Sequence, residues 1–124
     1  MKLKNVLIVV NDIEKSKAFY RDLFGLHVVS ENEGNVILTE GLVLQESKIW
    51  EIAFGKEIIP QNHASLLYFE EQDFDSFVEK LNAYQPAIQY ATPPMEFPWD
   101  TKMLRLYDPD GNLIEVRTPY EPPF

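Results

Sequence analysis

An α+β fold follows from three features of the 124-residue chain. A strand–helix–three-strand order is written twice, at about residues 1–47 and 62–118. In both copies an amphipathic helix with a capping residue follows an apolar strand. Near the C-terminus, Asp108-Pro-Asp-Gly-Asn-Leu-Ile-Glu-Val116 joins two alternating strands through a tight turn. Each copy should have one strand face covered by its helix and the other left open. Joining two such curved sheets would create a cavity between them, the usual kind of place for a small-ligand site. The expected organisation is one domain over 1–124, with two modules and a proline-rich tail at 119–124.

In chain order, Leu3 to Val10 is an apolar, β-branched strand. Asn11 offers a helix N-cap with Glu14 three residues on, a capping-box spacing. Ile13, Tyr20, Leu23 and Phe24 fall on one helical face, and Gly25 ends the helix. Leu26 to Glu31, Asn35 to Thr39 and Leu42 to Glu46 read as strands separated by Glu33-Gly34 and Glu40-Gly41 turns. Ser47 to Gln61 reads as a loop with one helical turn around Trp50 to Phe54. The order then restarts with a strand from His63 to Phe69. Asp73 caps a helix whose Phe74, Phe77, Val78 and Leu81 share a face. Ala87 to Ala91 is a strand, and Thr92 to Asp100 a proline-rich excursion carrying Phe97 and Trp99.

Composition sets bounds on function. The apolar share of 45% and charged share of 25% are ordinary for a soluble globular domain. With no cysteine, disulfides, thiolate metal sites and cysteine nucleophiles are excluded. A net charge of −9 argues against nucleic acid and is compatible with cationic ligands. No apolar run approaches membrane-spanning length and no signal-peptide pattern is seen, so the expected location is cytoplasmic, with no membrane partner.

In the hairpin, Pro109 presets a negative φ, Asp108 and Asp110 can accept from nearby N–H groups, and Gly111 can take a positive φ. Strand alternation points Ile114 and Val116 one way and Glu115 the other, beside Leu113 and Arg117. Two readings of Glu115 stand open here: a solvated carboxylate on an open face, or a carboxylate aimed into a concave site.

The chain resembles the vicinal oxygen chelate superfamily, which includes glyoxalase I, extradiol dioxygenases, fosfomycin-resistance enzymes and bleomycin-resistance proteins. The resemblance rests on Val9 to Leu26, on His63 opening a strand, and on Tyr107 to Val116. It implies a glyoxalase-like fold of paired βαβββ modules around a cavity. In metal-using members the ligands come from the first and last strands of each module. Matching Gly41-Leu42-Val43-Leu44-Gln45 to Gly111-Asn112-Leu113-Ile114-Glu115 sets Gln45 opposite Glu115. Asn5 falls where the family often has histidine, and His63 takes that role in the second half. The implied quartet is Asn5, Gln45, His63 and Glu115.

Two functional expectations result. In the first, one divalent metal (Zn, Ni, Mn or Fe) on His63 and Glu115, helped by Gln45, Asn5 or waters, stabilises an enediolate or oxyanion as a Lewis acid, and Glu115 or a freed carboxylate nearby moves the proton. Such an enzyme would be a lyase or dioxygenase-type member. In the second, the protein has no metal and binds a small molecule, as bleomycin-resistance proteins do, with Trp50, Phe54, Phe97 and Trp99 as aromatic walls. Arg105 either clamps a carboxylate or phosphate or pairs with Glu115. Unpaired sheet edges and the resemblance together imply a homodimer.

Overall fold

Asp12 and Asp73 are short acids set just before apolar-periodic runs, and both cap helices in the computed structural model, which describes residues 1–60 and 63–119. The Asp12 carboxylate accepts from the Lys15 N–H at 3.1 Å, and that of Asp73 from the Ser76 N–H at 3.2 Å. The first cap is therefore Asp12, one residue beyond the expected Asn11. Gly25 closes the first helix at φ 68, a left-handed conformation that costs glycine least.

The chain divides into two units, Met1–Pro60 and Gln61–Phe124. The first contains β1 (Val6–Val10), α1 (Ile13–Phe24), β2 (Val28–Asn32), β3 (Asn35–Leu38), a 3-10 turn (Thr39–Gly41), β4 (Leu42–Glu46) and α2 (Ser47–Phe54). Its sheet order is β1-β4-β3-β2, with β1 and β4 parallel and the other pairs antiparallel. Val10, Val36, Leu38, Leu42 and Leu44 are buried together with Phe19, Tyr20 and Leu23 of α1, as the two periodicities require.

The second unit has β5 (Leu67–Glu70), α3 (Phe74–Ala83), β6 (Tyr90–Phe97), β7 (Thr101–Tyr107) and β8 (Leu113–Arg117). Its order, β5-β8-β7-β6, repeats the first, again with the outer β5–β8 pair parallel. Leu104, Leu106, Ile114 and Val116 are buried, as are Phe74, Phe77 and Leu81 of α3. Two four-stranded mixed sheets, each with a helix after its first strand, make this an α+β fold of paired βαβββ modules, as the resemblance implies.

Three local expectations need correction. The stretch from Ser47 forms a two-turn helix directly off β4, on which Trp50 and Phe54 stack at 5.2 Å between ring centroids. Gly34 (φ 76) leaves room beside it for Ile49, whose Cδ1 a side chain there would strike. Strand β6 runs through Pro93 and Pro94 rather than stopping at Ala91. It lies at the sheet edge, and its register slips on either side of Thr92, so the prolines disrupt no central ladder. Strand β5 begins at Leu67, and His63 stands outside it with φ 57, a left-handed backbone incompatible with a strand.

The expected tail lies outside the described residues beyond Pro119, as do Gln61 and Asn62. Among the described residues no helix is long and apolar enough to cross a membrane.

Candidate functional site

One face of the second sheet gathers a cluster of charged and polar side chains. Registers set Tyr68 of β5, Glu115 of β8, Arg105 of β7 and Thr92 of β6 in one row across all four strands. Glu115 sits near the middle of this row and is only 7% exposed. A carboxylate so placed needs charged or hydrogen-bonding partners to offset its lost hydration. It has two. Arg105 Nε donates to Oε1 at 2.7 Å, and Arg117 Nε donates to Oε2 at 3.0 Å. Arg105 is the cross-strand partner, while Arg117 is two residues along β8 on the same face.

The row continues outward. Arg105 Nη1 donates to Thr92 Oγ1 at 3.2 Å, and the Arg117 guanidinium lies 5.8 Å from the centre of the Phe97 ring. Tyr68 is half exposed beside Glu115. Burial pushes its phenol pKa up, Glu70 and Glu115 add to the shift, and Arg117 opposes it.

His63 reaches the same face at a different point. Its Nε2 makes a 2.8 Å hydrogen bond with the hydroxyl of Tyr107, two residues along β7 from Arg105, and the two rings lie 5.7 Å apart. His63 is also out of step with the first module. Asn5 stands seven residues before the Asp12 cap, whereas His63 stands ten before the Asp73 cap.

In the first unit, Asn5 and Gln45 lie at opposite ends of the β1–β4 pair. Gln45 is in register with Val9 and Asn35, while Asn5 lies beside Gly41. Four residues along a strand separate their levels by about 13 Å. Two short amides so spaced cannot meet at one ion with bonds of about 2.1 Å. Of the expected aromatic walls, Trp50 and Phe54 stack on α2, Phe97 meets Arg117, and Trp99 is 95% exposed at the β6–β7 turn.

These donors do not fit a resident divalent cation at Glu115. Both carboxylate oxygens already accept from cations, and a metal there would share the group with two guanidinium charges. Of the His63 ring nitrogens, Nε2 is engaged by Tyr107, and the remaining candidates are neutral amides. Among the described residues no cluster of three or more His, Asp or Glu side chains is arranged to hold a metal.

Sequence reasoning placed Arg117 beside Glu115 by strand parity but gave it no role. Tyr68 and Thr92 it did not single out. Their signal lay in cross-strand register, which a single sequence does not display.

The chain belongs to the Glyoxalase-like domain family, whose match covers residues 3–121. It is 29% identical to the uncharacterized protein YraH of Bacillus subtilis, over 94% of this chain and 97% of that one. A protein of unknown function from Agrobacterium tumefaciens has a similar structure (28% identity, TM-score 0.79, covering 97% of this chain and 95% of that one). So does a glyoxalase/bleomycin resistance protein/dioxygenase family enzyme from Burkholderia phytofirmans, at 21% identity and TM-score 0.76, over 95% and 98% of the two chains.

Proposed function

We propose that this protein is a small-molecule-binding member of the glyoxalase-like family that contacts its ligand through side chains, without a resident divalent metal. One observation carries the reading: both oxygens of Glu115, the carboxylate at the implied metal position, are occupied by Arg105 and Arg117. A carboxylate held this way is a scaffold for two cations and is not available as a metal ligand or a mobile base. The open face then offers guanidinium, phenol and hydroxyl groups with an aromatic neighbour, a mixture suited to orienting a small polar ligand.

Metal analysis of the purified protein, followed by calorimetric titration with Zn, Ni, Mn and Fe(II), tests the reading. The expected result is substoichiometric metal and no saturable heat. Stoichiometric binding abolished by Glu115→Gln or His63→Ala would establish the metal-dependent enzyme instead.

A further inference from the structure

The chain has three arginines, Arg21, Arg105 and Arg117. Two of them converge on one buried carboxylate in the second sheet. Two guanidinium groups share the one buried carboxylate, and among the described residues the only further acid in register with them is the exposed Glu70 of β5, opposite Arg117, in a protein whose total charge is −9. A structural ion pair needs only one cation for one carboxylate.

The hydrogen-bond pattern shows where the guanidinium groups are presented. Each arginine spends its Nε on Glu115, which turns the terminal nitrogens away from that contact. A guanidinium carries five N–H donors. Arg105 uses one further nitrogen on Thr92. Among the described residues, the terminal nitrogens of Arg117 have no hydrogen-bond acceptor. The two side chains are 33% and 31% exposed, so they are partly stripped of water yet reachable from solvent. Tyr68 and Thr92 add hydroxyls to the same cross-strand row, and Phe97 packs beside Arg117.

We infer that the Arg105–Glu115–Arg117 cluster is a recognition site for a compact oxyanion, a carboxylate or phosphate group carried by the ligand. In this arrangement Glu115 is a positioning residue. It fixes the two guanidinium groups by their Nε atoms and leaves their terminal N–H donors, which match a two-oxygen acceptor, facing the open side. The inference deepens the metal-free reading and rests on it.

Side-chain NMR of the intact, chelator-treated protein tests it directly, following the Arg105 and Arg117 Nε–H resonances. The probes are inorganic phosphate and acetate, titrated at constant ionic strength against chloride. Saturable shifts of both resonances with phosphate or acetate, absent with chloride, are expected, and which probe shifts them more distinguishes phosphate from carboxylate recognition. Arg117→Gln should abolish the response. Glu115→Gln, which keeps one acceptor oxygen for two Nε–H donors, should release one guanidinium and weaken anion binding about tenfold if the fold is kept. Arg117→Lys keeps the charge but not the fork and should retain only weak binding. If phosphate and acetate act no differently from chloride on the wild-type protein, the inference is overturned. Repeating the titration with Zn separates the two failures. Stoichiometric Zn binding that frees the arginine resonances defeats the metal-free reading itself, whereas silence toward both metal and anions defeats only the oxyanion site.

Discussion

Asp108 and Glu115 are both buried carboxylates in one hairpin, and each is stabilised differently. Asp108 is 5% exposed and satisfied by neutral N–H donors. It accepts from the backbone of Asp110 at 2.8 Å, from the backbone of Asn112 at 2.9 Å and from the Asn112 amide at 2.8 Å. These contacts lie within one turn, so the group builds local structure. Asp108→Ala should lower stability by about 2 kcal/mol, read as a shifted urea midpoint, because three donors lose a charged acceptor. Asp108→Asn should recover part of that loss, and an unchanged midpoint for the alanine variant would refute this role. Glu115 is instead held by side chains from two strands. Its contacts therefore depend on sheet register.

The helices illustrate the element scale. Helices α1 and α3 are short, 12 and 10 residues, and isolated helices of that length are marginal in water. Caps and a buried apolar face supply what propensity alone does not. Asp12→Ala and Asp73→Ala should each cost about 1 kcal/mol, measured by thermal or chemical unfolding with the sheets otherwise intact. Serine at either position should restore most of the stability, since its hydroxyl accepts from the same N–H. Strand β6 makes a contrasting point. A proline-rich segment normally ends a strand, but an edge position needs hydrogen bonds on one side only, and bulges absorb the missing donors.

On the scale of the whole molecule, two units share one topology but distribute polarity unequally. The arginine–carboxylate row belongs to the second sheet, while the first sheet places the uncharged Val9, Gln45 and Asn35 at the corresponding central positions. Each sheet also has two edges of its own, β1 and β2 in the first, β5 and β6 in the second. Edge strand β2 carries exposed Val28 and Val29. Unprotected apolar edges favour pairing with a second chain. A homodimer is the expected species in sedimentation at micromolar concentration, and a monomer there would overturn that expectation.

Much of this fold was legible in the residues because its signals are local. Alternation placed Ile114 and Val116 in the core and Glu115 on the opposite face, and the Asp108 turn with Gly111 at φ 85 formed as turn chemistry requires. Cap residues located α3 directly and α1 to within one residue. Composition ruled out thiolate chemistry outright. What the residues did not reveal depends on distance in space. The expected ligand Asn5 sits about four strand positions from Gln45, His63 leaves the strand through a left-handed backbone, and Arg117 becomes the second cation on Glu115. Spacing along the chain fixes which face a side chain takes, since that follows from backbone geometry. Which partner it meets there follows from strand register, and register arises only when the sheet assembles.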